Sequence, residues 1–586
     1  MTSRALDDHG PTGRVVRVSG PLVEVEGLDD VAMSDMVQLG KSLLPGELVA
    51  LSDGVATVQS YEYSGGLTPG DPVRPVGEPL SAWLGPGLLC GMFDGLLRPL
   101  LGADTWLRPG GPVPPDTRTW AFEPHAAMGD DLAPGATLGV VHTEGPLVLR
   151  VLVPPRAGGR VDRLADPGTY AAEASLALVG GVEVRMGQRW PVRRARPHRG
   201  RVETGEPLVT GQRVLDLLYP IALGSSAGVP GGFGTGKTVL LQQVAKWCTA
   251  DVIVYVGCGE RGNEMADVVA ELADLVDPRT GGHLAQRTVV IANTSNMPMM
   301  AREASVYTGM TVAEYFRDMG LHAVVIADST SRWAEALREF ASRSGAMPAE
   351  EGYPSSLASS LAAFYERAGH VDTLGGLRGS VTVIGAVSPP GGDVTEPVSA
   401  NTERFVRSLW SLDRDLAYAR HYPAVSWGAS FSRDAVRVGA WHAARGDAAW
   451  AGRRSRVLSL VAEADRLAAL ADLVGVGSMP GPERVVLLTG RLLREAVLQQ
   501  SALSANDAVC SPAKAAALVD AVLAVHDRSL ALLHDGALAS LIEETDWGPL
   551  VRARDETGPE DAEGVGVRLD QVLAELDALA PDGATP

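Results

Sequence analysis

Eight residues, Gly231-Gly232-Phe233-Gly234-Thr235-Gly236-Lys237-Thr238, follow the spacing G-x-x-x-x-G-K-[ST]. Glycines at these places let the backbone turn its N–H groups around phosphate oxygens, and a helix opening there aims its N-terminus at the same anion. In such a loop the Lys237 ammonium would neutralise β- and γ-phosphate charge, and the Thr238 hydroxyl would offer an oxygen to Mg²⁺. Val239 extends the stretch expected to touch the nucleotide. The competing account is a Gly-rich turn before a helix. Lysine occurs only at positions 41, 237, 246 and 514, so chance rarely completes the pattern.

Two further segments carry carboxylates suited to the same chemistry. Leu321-His322-Ala323-Val324-Val325-Ile326-Ala327-Asp328 reads as a buried strand ending in an acid, where a nucleotide-binding sheet needs a carboxylate for Mg²⁺. Such an acid also serves as a turn or helix cap, and the phosphate loop about 90 residues upstream favours the metal. Val252–Val256 forms another strand, followed by the turn Gly257-Cys258-Gly259-Glu260-Arg261-Gly262-Asn263-Glu264. A carboxylate on that turn can polarise a water for attack on a γ-phosphate. Glu260 is expected in this role, and Glu264 as a cap of a helix Met265–Leu275. Cys258 is read as core filling.

The elements that would hold these residues alternate. Between Pro191 and Trp427, apolar runs of strand length (Val252–Val256, Thr288–Ala292, Ala323–Ala327, Val381–Ala386) alternate with helix-period segments, which implies a mainly parallel, doubly wound sheet. Short β-branched runs from Gly13 to Pro75 predict a small β-barrel, and the Pro/Gly-rich stretch from about Gly110 to Gln188 a β-rich insertion. Beyond Arg433 apolar Val457, Leu460, Val461, Ala464, Leu467, Ala468, Ala471 and Val474 recur at helical spacing, with fraying expected near Thr557–Gly566. The fold class is multidomain: an N-terminal β-barrel (1–78), the start of the nucleotide-binding domain or a linker (79–109), a β-rich insertion (110–190), an α/β P-loop nucleotide-binding domain (191–432) and a C-terminal α-helical domain (433–586).

Composition narrows the partners. The net charge of −20 and pI near 5.0, without a basic stripe, argue against nucleic acid. Met1-Thr2-Ser3-Arg4 before Asp7-Asp8 lacks an apolar leader core, and no later uncharged run is long enough for a bilayer span. Cys90, Cys248, Cys258 and Cys510 have no C-x-x-C spacing, which disfavours zinc and a disulfide framework and fits a reducing cytoplasm.

At these residues the chain resembles the catalytic A subunits of V/A-type rotary ATPases, whose central domain is RecA-like. The resemblance is carried by Ser64–Leu67, Leu84–Leu89, Gly257–Met265, Ile291–Pro298, Ala301–Ser305, Ala327–Glu339, Phe364–Gly369 and Gly385–Asp393, and spans about Gly13 to Ala508 with the insertion. It implies that Glu260 orients or deprotonates water, that Asp328 is the Walker B acid, that Arg261 and Arg332 approach the phosphates, and that Tyr422, in Arg420–Val425, packs on adenine. On residue type alone the competing account of Tyr422 is a core tyrosine.

The resemblance further implies ATP or ADP with Mg²⁺, and an A3B3 ring in which B subunits alternate with this chain and supply an arginine finger. Central and peripheral stalk subunits and a membrane ion-translocating sector complete the assembly, with this chain peripheral on the cytoplasmic face. Departures from the family pattern are Gly232 for Pro or Ala, Thr235 for a redox-sensitive Cys of some members, Ser360 for Arg, and Leu503 for a Phe expected on the adenine. Competing readings are a Rho-like translocase, disfavoured by the acidic balance, an export ATPase, which lacks a comparable insertion, and a non-catalytic ring component, disfavoured by joint retention of Lys237, Thr238, Glu260 and Asp328.

Overall fold

The computed structural model describes residues 13–52, 54–102, 117–277 and 279–580; expectations about the chain start and a boundary at 109/110 lie outside the described residues. The chain divides into two compact units. The first holds Met1–Val202, Ala250–Val387 and Thr395–Phe405, and the second Glu203–Thr249, Ser388–Val394 and Val406–Pro586.

The first unit begins with a closed antiparallel barrel of β1 (Gly13–Ser19), β2 (Leu22–Glu26), β3 (Asp35–Leu39), β4 (Leu44–Ser52), β5 (Val55–Ser60) and β6 (Pro72–Pro79), in the order β1-β2-β5-β4-β3-β6. Alternation drives closure: Val23 and Val25 are buried while Glu26 is exposed, and they join Val37, Leu39, Leu48, Val58 and Val73 in one core. The β-branched runs expected from sequence fall in β1, β2, β4 and β5. β3 escapes because its burial does not alternate, and β6 because it carries three prolines, which cannot donate to a ladder.

The insertion forms two four-stranded sheets around Phe122, Leu138, Val151, Leu176 and Val179. Beyond it the strands Arg378–Val387, His322–Asp328, Val252–Cys258, Thr288–Asn293 and Met92–Phe93 lie side by side, all parallel. Their near-continuous apolar runs follow from burial on both faces. The helix Met299–Asp318 is buried on most faces, so its charges need internal partners. Glu314 takes both arms of Arg367 (3.0 and 2.6 Å), Asp318 takes Arg196 at 2.6 Å, and Glu303 takes Arg193 at 2.7 Å. Removing one partner of the buried Glu314–Arg367 or Asp318–Arg196 pair typically costs about 3–5 kcal/mol, because the other charge stays buried.

In the second unit the strand Ser226–Pro230 runs parallel to Ser408–Leu409, which pairs antiparallel with Phe431–Ser432. Helices follow from Ala435–Ala444 through Trp450–Val474, Gly481–Leu492 and Pro512–His534 to Ala562–Asp577. The apolar stripe of Trp450–Val474 is buried at Val457, Val461, Ala464 and Leu467, but the expected core position Val474 is half exposed. The expectation of fraying near Thr557–Gly566 is corrected. Helix Gly548–Glu556 stops, and the next begins at Ala562 with Asp561 capping the Gly564 N–H at 2.8 Å. The buried Lys514 ammonium donates to the carbonyls of Asn506 (3.0 Å), Arg554 (2.8 Å) and Thr557 (2.9 Å), which ties that break down. Polar composition suggests mobility; a buried cation using all three donors overrides it. Among the described residues no helix is long and apolar enough to cross a membrane.

Candidate active site

In the second unit the phosphate loop joins strand Ser226–Pro230 to helix Lys237–Trp247. Gly234 and Gly236 stand at φ of 80° and 81°, values that residues with a Cβ adopt only at a cost, so the glycine spacing has a backbone cause. Thr235 is buried and its hydroxyl donates to the Gly232 carbonyl at 2.8 Å, bracing the loop from within. A Cβ on Gly231 would lie 2.7 Å from that hydroxyl oxygen, so the brace also requires glycine there. Thr238 is half-buried in the first turn of the helix, Val239 is 51 % exposed, and Phe233 at the loop tip is 95 % exposed.

The Lys237 Nζ donates to the hydroxyl of Ser388. The segment Ser388–Val394 lies against the phosphate loop: a Cβ on Gly232 would sit 3.6 Å from the Gly392 Cα. Tyr422 lies at the other end, its ring edge 3.2 Å from where a Cβ on Gly236 would be. Its carbonyl accepts the Gln500 N–H at 2.7 Å, which brings the 499–503 segment beside it. Leu503 itself is 99 % exposed, so the structure does not bring its side chain onto Tyr422. That segment is held from behind by buried Asp507, which accepts the Ser501 N–H at 2.7 Å and pairs with Arg213 at 2.7 Å.

In the first unit Gly257 stands opposite Asp328 in the parallel register, so both strands end on one edge of the sheet, where α/β folds place ligands. Asp328 is buried and accepts the Tyr255 hydroxyl at 3.3 Å; burial first, then that carboxylate, holds the phenol well above its usual pKa. The turn after Cys258 is pinned on both sides of Glu260. Gly259, at φ 74°, donates to the Asn293 carbonyl at 2.7 Å, and the Glu260 carbonyl accepts the Ser295 N–H at 2.9 Å.

Arg302 and Arg332 close over this turn. A Cβ on Gly259 would meet the Arg332 Cβ at 2.7 Å and the Arg302 Nε at 3.2 Å. Arg332 donates to both oxygens of Glu335 at 2.9 Å, and that bond raises its pKa; Glu260 and Glu264 act in the same direction. The Arg261 side chain is exposed, 4.0 Å from Glu264. Glu264 is no cap: the helix spans Gly262–Asp274, opens at Arg261 without a side-chain capping bond, and carries Glu264 in its first turn. The three residues Gly262–Glu264 carry no apolar periodicity, so the sequence pattern places the helix start too late. Burial pushes the Cys258 thiol up to about 12, which keeps it protonated.

Sequence reasoning gave no role to Ser388, Arg302 or Asp507. The first two lie inside family-like strings, which offered a signal; Asp507 offered none.

The chain matches four family models: the ATP synthase alpha/beta family β-barrel domain over 15–77, the alpha/beta subunit barrel-sandwich domain over 114–193, the alpha/beta family nucleotide-binding domain over 211–432, and the C-terminal domain of V and A type ATP synthase over 440–542. It is 47 % identical to a V-type ATP synthase alpha chain of Anaeromyxobacter dehalogenans over 97 % of this chain and 100 % of that one. It is 44 % identical to the A subunit of the A-type ATP synthase of Haloferax volcanii, covering 94 % and 95 % of the two chains. The assembled ATPase EscN of an enteropathogenic E. coli type III secretion system shares the fold, with a TM-score of 0.62 at 21 % identity over 88 % of this chain and 100 % of that one. The chain therefore belongs to the alpha, or A, subunits of V- and A-type ATP synthases, the catalytic subunits that couple ATP synthesis or hydrolysis to ion transport.

Proposed function

We propose that the chain binds Mg-ATP and Mg-ADP on the 231–239 loop and that Glu260 directs the attacking water. The observation that carries this reading is the pinning of Glu260 at the sheet edge that also bears Asp328. In it the loop amides of Gly231, Gly232, Phe233, Gly234, Thr235 and Gly236, with Lys237, hold the β- and γ-phosphates. Arg261 and Arg332 approach the developing charge, and Tyr422 packs on the adenine. The donors fit Mg²⁺: the Thr238 hydroxyl is a hard oxygen ligand, and the Asp328 carboxylate can accept hydrogen bonds from the waters that the ion would retain. No group of three or more His, Cys, Asp or Glu that could hold a metal occurs among the described residues, so phosphate and water would complete the shell. Bound there, Mg²⁺ would neutralise charge between the β- and γ-phosphates. Asp328 would hold its water shell from behind, and Glu260 would accept a proton from the attacking water.

In this reading the chain alternates with B subunits in an A3B3 ring at the cytoplasmic face, reaches the membrane sector through central and peripheral stalks, and receives an arginine finger from its neighbour. The apolar side chains exposed near the end of helix Trp450–Val474, Leu470, Leu473 and Val474, give the helical domain a surface for the central stalk. In the same reading the division at 78, 190 and 432 would separate barrel, insertion, nucleotide-binding and helical domains. The test is purification with partner chains followed by native mass measurement and an ATPase assay. An alternating hexamer that hydrolyses ATP is expected; a homo-oligomer of this chain with full activity would refute the assembly.

Leu503 supplies no aromatic face, so adenine would be held by Tyr422 and aliphatic contacts. An aromatic pair contributes about 0.5–1.5 kcal/mol beyond burial. Leu503→Phe should therefore tighten ATP binding by roughly two- to twelve-fold in equilibrium titration. Unchanged or weaker binding would remove residue 503 from the adenine site.

A further inference from the structure

We propose that Ser388 recognises the γ-phosphate, so that its hydroxyl distinguishes ATP from ADP; this rests on the reading of Lys237 as the phosphate lysine. The chain leaves the first unit at Val387 and returns to it at Thr395, and the seven residues Ser388–Val394 between belong to the compact unit that holds the phosphate loop. Nothing in the length of this excursion requires it to meet the loop, yet it does so at two points. Gly392 packs on Gly232, and the Ser388 hydroxyl accepts from the Lys237 ammonium.

The chemistry of that second contact is specific. An ammonium has three donors and no acceptor, while a hydroxyl accepts through its lone pairs and carries one O–H that can rotate and donate. With Lys237 on its oxygen, Ser388 can turn that O–H toward an anion, at the end of the loop where a phosphate lysine meets the terminal phosphate. Gly391 and Gly392 stand at φ of 66° and 82°, and Pro389 and Pro390 limit the backbone on the Ser388 side, so the hydroxyl is presented by a stiff residue pair next to a permissive one. When the γ-phosphate is present, Lys237 and Ser388 both donate to it. When only ADP is bound, Lys237 keeps the β-phosphate and Ser388 returns to accepting from Lys237.

Ser388→Ala removes the hydroxyl from a half-buried side chain and leaves the backbone unchanged. Loss of a hydrogen bond to a charged group should weaken Mg-ATP binding to the full chain by about tenfold and leave Mg-ADP within about twofold. Ser388→Thr, which keeps the hydroxyl, should restore the ATP preference. Parental ATP affinity in Ser388→Ala, or equal weakening of both nucleotides, overturns the proposal. Lys237→Ala separates the two levels. Impaired binding of both nucleotides by Lys237→Ala together with an unaffected Ser388→Ala sinks the Ser388 role alone, whereas parental binding by Lys237→Ala overturns the lysine reading and the proposal with it.

Discussion

In the assembled ring, Glu260→Gln should bind Mg-ATP with near-parental affinity and turn it over at least about a hundredfold more slowly, the usual scale for losing a general base. The substitution keeps the size of the side chain and its capacity to hydrogen-bond, and removes only the negative acceptor. The backbone bonds that pin this turn, Gly259 N–H to Asn293 and Ser295 N–H to the Glu260 carbonyl, do not involve the side chain, so the turn keeps its place. In the proposed reading, loop amides and Lys237 would grip phosphate in the ground and transition states alike, whereas a carboxylate that orients water acts chiefly as the bond breaks. Lys237→Ala should accordingly raise the dissociation constant itself. Rapid-mixing hydrolysis and equilibrium binding on the two variants decide the matter: if Glu260→Gln hydrolyses ATP close to the parental rate, Glu260 only shapes the turn.

A larger effect is expected from removing the neighbours. The chain purified alone should bind Mg-ATP and hydrolyse it slower than the ring by a factor of about 10³ to 10⁵, the contribution typical of an arginine supplied in trans. Two of its own arginines have partners that keep them from substituting freely. Arg332 is engaged by both oxygens of Glu335, and Arg302 is packed against Gly259. Arg261 is exposed and loosely paired with Glu264, and so is the one of these three with freedom to swing. Single-turnover hydrolysis by the monomer, compared with the reconstituted ring at the same nucleotide occupancy, measures the difference. A monomer turning over at the ring's rate would mean that the chain completes its own transition state.

Much of this protein is legible in the order of its residues because the relevant constraints are local. A left-handed backbone at Gly234 and Gly236 calls for glycine wherever such a loop is built. Strands buried on both faces must be apolar throughout, which marks His322–Asp328 and Val252–Cys258 and leaves their terminal carboxylate and turn conspicuous. Tertiary structure alone decided what depends on distant partners. The prolines of β6 hide a barrel strand that nonetheless pairs with both β3 and β1. The stretch Thr557–Gly566 reads as frayed chain, yet the buried Lys514 ammonium, 40 or more positions away in sequence, gathers the carbonyls of Arg554 and Thr557 at its start. The start of helix Gly262–Asp274 precedes its apolar stripe, so periodicity could not place it. The meeting of Ser388 with Lys237 spans 151 positions, a contact that neither residue type nor spacing announces, because it exists only where the chain crosses back to the phosphate loop.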